Sequence, residues 1–280
     1  MRFILANQLN TMISKKLWEE FEEAKWVLEE LKRVKNDYGL LARFKTGHEF
    51  VEWFKLFISP ILRVNYNTGA YWIKNTDIRG IVLWTKQGAW NERAANSVLS
   101  RALTDYRDYI EPEFLDVLAH QVSDEARHFY IRVKILELAG ESLAGFQPLP
   151  QWSQLFEFPL KCASKRLERP YFQVKFSGAF QTVELTATVQ HRGVVENAHF
   201  NKGLWEGDAR RVVEALVNFS REIEDDESFH WSIAERIWAR FLTTAELRAE
   251  ALECAIPALE LSTVAKIARI EAAERARGGN

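Results

Sequence analysis

The frame Asp-Glu-x-x-His occurs twice in this chain, as Asp124-Glu125-Ala126-Arg127-His128 and as Asp226-Glu227-Ser228-Phe229-His230. Residues three apart lie on one face of a helix, so in each frame the Glu and the His can hold one metal ion together. One Glu-x-x-His arises by chance in any Glu-rich helix. The same five-residue frame twice, each with Asp before Glu, points instead to two helices facing a shared pair of ions. Completing such a site takes one further Glu from each of two more helices, in a four-helix arrangement.

Candidates for those two Glu residues follow from helix levels. An apolar segment over 77–109 reads as the first helix of the bundle, and Glu92 is the only carboxylate in its central part, between Trp90 and Ala94. Buried there without a partner it would be costly, so it needs a cation or a proton. The Tyr109-Ile110-Glu111-Pro112 turn then sends a second helix, over 112–140, back antiparallel, which brings Glu92 and Glu125 to within about a turn of one level. A third helix over 172–202 offers two carboxylates, Glu184 and Glu196. If Gly203 ends that helix and Asp208 caps the fourth, Glu184 and Glu227 lie equally far from the turn, whereas Glu196 would be offset from Glu227 by roughly 18 Å. Glu184 is favoured, and Glu196 is the alternative if the helix bends at Gly193.

The predicted ligand set is therefore Glu92, Glu125, His128, Glu184, Glu227 and His230. Asp124 points about 100° away from Glu125, which suits an acceptor for a ligand histidine on another helix, and Asp226 has the same place in the second frame. His120 lies two turns from the metal level, His48 stands alone, and His199 has no role beyond a surface or inter-helix hydrogen bond.

The rest of the chain reads as helical packing around this core. The segment 1–65 is an N-terminal helical extension: Ser14 can cap a first helix that Asn36-Asp37-Tyr38-Gly39 stops, and Pro60 ends or bends a second over 48–62. Residues 141–170 carry Pro148, Pro150, Pro159 and Pro170 and read as a crossover with a short helix near 154–158, whose aromatic residues pack on the bundle. Thr243-x-x-Glu246 is a capping box that opens C-terminal helices over 243–275, divided by Pro257. No linker breaks the 280 residues, so one all-α domain is expected, with the bundle over 77–240. A net charge of −2 gives no reason to expect nucleic acid or a membrane surface as partner, and no apolar run reaches the roughly 18 residues of a bilayer span. Two cysteines, Cys162 and Cys254, without metal-type spacing suggest a reducing, cytoplasmic setting and no disulfide framework.

These motifs resemble the ferritin-like di-iron carboxylate superfamily. The two Asp-Glu-x-x-His frames are similar to the paired motifs of bacterial multicomponent monooxygenase hydroxylases, and arylamine N-oxygenases and the radical-generating subunit of ribonucleotide reductase share the scaffold. The resemblance implies a ferritin-like four-helix bundle over about 77–240. In the monooxygenases a Thr one turn after the third-helix Glu faces the oxygen-binding pocket, so Glu184-x-x-x-Thr188 marks Thr188 as a catalytic candidate and supports Glu184. Where the ribonucleotide reductase pattern has Tyr, this chain has Arg132.

Four carboxylates and two imidazoles suit two iron ions, with manganese or a mixed pair compatible, and leave positions open for dioxygen. The leading expectation is an O2-dependent oxygenase or hydroxylase acting on a small apolar or aromatic compound, in a pocket lined by Ala89, Phe129, Phe180 and Thr188. The alternatives are a di-iron oxidase or desaturase, a radical-generating subunit, or a non-enzymatic iron-handling protein. No glycine-rich nucleotide fingerprint is present, so electrons are expected from a separate reductase or ferredoxin. A homodimer is compatible with all of these.

Overall fold

The computed structural model describes residues 2–207 and 209–278, with side chains over 13–207 and 209–276. All its regular elements are helices: α1 (Arg2–Ala24), α2 (Trp26–Asn36), α3 (Tyr38–Leu41), α4 (Gly47–Phe57), α5 (Ser59–Asn75), α6 (Ile78–Asp105), α7 (Pro112–Leu138), α8 (Pro150–Ala163), α9 (Tyr171–Asn197), α10 (Ala209–Phe241) and α11 (Ala245–Gly278), with short 3₁₀ turns between some of them.

Local chemistry sets most boundaries. Asp77 accepts a hydrogen bond from the Gly80 N–H and starts α6. Pro112 occupies the first turn of α7, where its missing N–H costs nothing, and Pro150 and Pro60 do the same for α8 and α5. Pro60 thus starts a helix, which runs on through Asn67-Thr68-Gly69. Ser14 lies inside α1, which begins well before it. The cap of α11 is Thr244, whose hydroxyl accepts from the Leu247 N–H, one residue later than the capping box predicts. Pro257 does not divide α11, which continues through it and packs against α9, α8 and α2. The expected cap at Asp208 lies outside the described residues.

Helix α9 is the axis of the molecule. It packs against α10, α11, α5 and α8, so residues all around its circumference are buried, polar ones included. The approach of α5 is close enough to require glycine. A Cβ on Gly69 would lie 2.1 Å from the Gln190 carbonyl oxygen, and one on Gly193 would lie 2.3 Å from that of Tyr66. α9 runs as one helix through Gly193, where a break would have favoured Glu196.

Four helices carry the predicted ligands. They form two antiparallel pairs, α6 with α7 and α9 with α10, joined mainly through α7 against α10. On the opposite side α6 and α9 make little direct contact, and α8 and α11 fill the gap between them. The crossover helix and the C-terminal helix are therefore walls of the centre. A column of side chains ties them in: Trp72 of α5 stacks on Trp84 of α6 at 3.9 Å between centroids, and the Arg269 guanidinium of α11 sits 3.3 Å above Trp84 and 5.2 Å from Trp152 of α8. Aromatic and cation–π contacts of this kind each contribute about 0.5–2 kcal/mol beyond the area they bury.

Cys162 of α8 and Cys254 of α11 form a disulfide, against the expectation from their spacing and number. The two residues are 92 apart in sequence, and only the packing of α8 on α11 brings the two sulfurs together. Among the described residues, no helix is long and apolar enough to cross a membrane.

Candidate metal centre

The six predicted ligands converge. Glu92 of α6, Glu125 and His128 of α7, Glu184 of α9, and Glu227 and His230 of α10 are all buried. Ligand atoms of Glu125, Glu184, Glu227 and His230 lie within 4.8 Å of one another, and so do those of Glu92, His128 and Glu227. The two groups share Glu227. His230 Nδ1 is 3.1 Å from Glu227 and 3.7 Å from Glu125, and His128 Nδ1 is 4.0 Å from Glu125.

Both imidazoles turn Nδ1 toward the carboxylates because Nε2 is held from outside. His128 Nε2 is 2.9 Å from Asp226 Oδ2, and His230 Nε2 is 3.2 Å from Asp124 Oδ2. Each Asp therefore serves the histidine of the other frame, across the α7–α10 contact. Arg127 closes this outer layer, bonded to Asp226 at 2.6 Å and to Glu222. A ligand histidine anchored through its second nitrogen has a fixed tautomer and a more basic donor atom.

Electrostatics mark the cluster as strained without cations. Burial, reinforced by Glu227 and Glu92, pushes Glu125 well above the ordinary carboxylate range. Burial and the neighbouring Glu227 do the same to Glu184. Glu227 resists its own burial, because hydrogen bonds from Glu184 and His230 hold it at about 2. Burial lowers His230, but Asp124 and Glu227 outweigh it and raise the ring to about 10. The buried atoms Glu125 Oε1 and His128 Nδ1 have no hydrogen-bond partner. Both are lone-pair donors at the cluster's interior, and such orphans are rare unless something else binds them. This is the observation that a metal ion fits: hard oxygen and imidazole donors, converging, with unpaired lone pairs.

Other candidates lie elsewhere. Glu196 is exposed and accepts a hydrogen bond from the Tyr66 hydroxyl at 2.6 Å. His120, His48 and His199 are exposed. Thr188 is buried but donates back to the Glu184 carbonyl at 3.0 Å, and it is not among the residues lining the cavity beside the cluster. Nor are Ala89, Phe129 or Phe180.

That cavity, of about 40 Å³, has a different character from the apolar pocket expected. Besides the carboxylates, its lining includes Arg132, His191, Lys266 and Arg269, with Trp152 and Phe156 from the crossover. Arg132 bonds Glu92 at 2.5 Å, one turn beyond His128, and the absent side chain of Gly88 makes room for its guanidinium. Lys266 donates to Thr186 and Ser262 at 2.6 Å each. Sequence reasoning missed His191, Lys266 and Arg269. Lys266 and Arg269 stand three apart on a helix that reads as a peripheral addition. The one available signal was a pair of charges inside an otherwise apolar stretch of α11.

Comparison with protein-family models, with curated proteins and with solved structures finds no match for this chain.

Proposed function

We propose that this chain is an O2-dependent oxidoreductase that holds two iron ions and oxidises a small organic substrate. The observation that carries the reading is the set of four buried Glu and two buried His from four helices, with each His anchored by the Asp of the opposite frame. Glu92 and His128 would hold one ion, Glu125, Glu184 and His230 the other, and Glu227 belongs to both groups. When bound, a ferrous pair supplies two electrons to dioxygen, chemistry that no side chain of the protein can provide. The chain's own contribution is positional. Four carboxylates neutralise two divalent charges, which allows the ions into a core from which water is largely excluded. Asp124 and Asp226 keep both imidazoles deprotonated at Nδ1 toward the ions. Arg132, bonded to Glu92, sets the position of that carboxylate and moderates its charge. No nucleotide-binding motif is present in the sequence, so repeated turnover would draw electrons from a separate reductase or ferredoxin.

A second reading, oxidation of ferrous ions themselves without an organic substrate, is favoured by the small size of the cavity. Against it stand the buried cations on the cavity wall, which would repel ferrous ions arriving from that side.

The test is anaerobic loading with ferrous iron, metal analysis, and a single exposure to oxygen with candidate compounds present. Two ions per chain and an oxidised organic product support the oxygenase. Ferric mineral with no product would replace it with the iron-handling reading, and fewer than about one ion per chain would end both.

A further inference from the structure

Every buried hydrogen-bonding group that the metal cluster leaves unsatisfied on the far wall of the cavity is nitrogen. Trp152 Nε1, His191 Nδ1, Arg132 Nη1 and Arg269 Nε are buried and without a hydrogen-bond partner. All four residues line the cavity, and each is at most 4% exposed. The unpaired atoms on the cluster side, Glu125 Oε1 and His128 Nδ1, are lone-pair donors suited to cations. The cavity thus has two faces with opposite demands, one for positive charge and one for an acceptor.

Charge balance leads to the same place. In the absence of ions Arg132 pairs with Glu92 at 2.5 Å, whereas burial pushes Lys266 and Arg269 well below their ordinary values, eased in part by Glu184 and Glu227 for the lysine and by Glu92 for the arginine. Two divalent ions would take up those carboxylates and withdraw that relief from the buried Arg132, Lys266 and Arg269. Buried unpaired charge is among the most costly arrangements in a protein. Something anionic has to enter with the metal.

From these observations, and resting on the metal-centre reading above, we infer that the substrate is a small organic carboxylate, whose oxygens are received by the N–H groups of Arg269 and Trp152, with Arg132, His191 and Lys266 completing the polar wall around it. Arg269 is built for the task. Its guanidinium is held flat between Trp84 and Trp152, and Nη2 is fixed on Gln190 Oε1 at 2.8 Å, which leaves Nε free to donate. A planar guanidinium in fixed orientation is the side chain best matched to carboxylate geometry. The cavity's size agrees: at roughly 10–15 Å³ per water it has room for about three waters, the heavy-atom count of one carboxylate group. A second space lies beside the cavity. Phe156 lines both this cavity and an outer groove of about 670 Å³ between α6 and α8, whose walls also carry Arg93, Arg101 and Lys161. Those three cations, against the one carboxylate of Glu157, would favour an anion in that groove.

The experiment uses the full chain loaded with zinc, which is redox-inert, and titrates it calorimetrically with formate, acetate and benzoate. Benzyl alcohol serves as the neutral analogue and inorganic phosphate as the other oxyanion. The expected result is saturable binding of a carboxylate, no binding of benzyl alcohol, and at least about a tenfold weakening in R269Q, as for removal of one partner of a buried charge pair. R269K should recover part of that loss, and K266M should weaken binding with zinc content and helical circular dichroism unchanged. The inference is overturned if no carboxylate binds, if benzyl alcohol binds as well as benzoate, if phosphate alone binds, or if R269Q and K266M both stay within about twofold of the parent. A chain that takes up no metal ends the metal-centre reading by itself. The anion site is then judged on the metal-free protein, where carboxylate binding lost in R269Q upholds it and absence of binding ends it.

Discussion

Asp226 of one frame holds the His128 ring of the other, at 2.9 Å across the α7–α10 contact. Asp124 returns the arrangement to His230 at 3.2 Å. Because the hydrogen bonds cross between helices, each pair fixes a ligand orientation and the register of the two helices at once. Replacing either Asp by Asn keeps the shape and removes the charge that makes the imidazole a strong donor. D226N and D124N should each lower metal affinity about 10–100-fold, measured by competition against a chelator, with the fold retained.

Glu184 and Glu196 compete in the sequence but differ fully in the structure, one buried in the cluster and the other exposed beside Tyr66. E184Q should reduce metal content by about one ion per chain after loading. E196Q should leave it unchanged. Metal analysis of the two variants, side by side, decides the matter.

Metal uptake should release protons. At neutral pH Glu125 and Glu184 are pushed up by burial and by their carboxylate neighbours, and His230 is raised to about 10 by Asp124 and Glu227 despite its burial. His230 therefore carries a proton that a metal must displace, and Glu125 and Glu184 hold theirs to higher pH than an ordinary carboxylate. Raised values mean that the proton competes up to higher pH, so affinity should increase steadily from pH 6 to pH 9. A weakly buffered solution with an indicator dye reads the protons directly on zinc addition. An affinity independent of pH over that range would contradict this picture.

Cutting the Cys162–Cys254 bridge should lower stability without disturbing the centre. The bond closes a loop with a sequence separation of 92, and bonds over loops of this size typically contribute about 2–5 kcal/mol. The double Ser variant should melt several degrees lower by circular dichroism while binding the same amount of zinc. Reductant should produce the same shift in the parent and none in the variant.

At Gly69 the limit is steric. An added methyl would meet the Gln190 carbonyl oxygen at 2.1 Å, a backbone atom that moves only if α5 or α9 moves. G69A should destabilise the protein by about 1–3 kcal/mol or more in denaturant unfolding, well beyond the small change that Gly to Ala brings on an exposed helix surface.

How much of this was legible in the sequence depends on the range of the interaction involved. Helical spacing is a local property, so the two Asp-Glu-x-x-His frames place Glu125 with His128 and Glu227 with His230 before any tertiary contact is known. The levels of Glu92 and Glu184 follow from turn positions and a fixed rise per residue, and the all-helical class follows from the same periodicity. Proline marked a helix start at Pro112, but Pro60 and Pro150, read as a helix end and as crossover, also start helices. Pro257 misled as well: packing on both sides of α11 offsets its lost N–H.

Tertiary structure alone decided what surrounds the carboxylate–histidine cluster. Lys266 and Arg269 lie beyond the expected bundle, and Trp152 lies in a crossover that reads as packing material. They reach the cavity because α6 and α9 stand apart and α8 and α11 fill the space between them. The same approach of α8 to α11 joins Cys162 to Cys254, which the sequence shows only as two distant thiols. The ligands obey a rule of spacing within one helix, and spacing is written in the chain. The cations, the aromatic wall and the disulfide depend on which helices become neighbours, and that is set by the summed burial of many side chains, with no single motif to announce it.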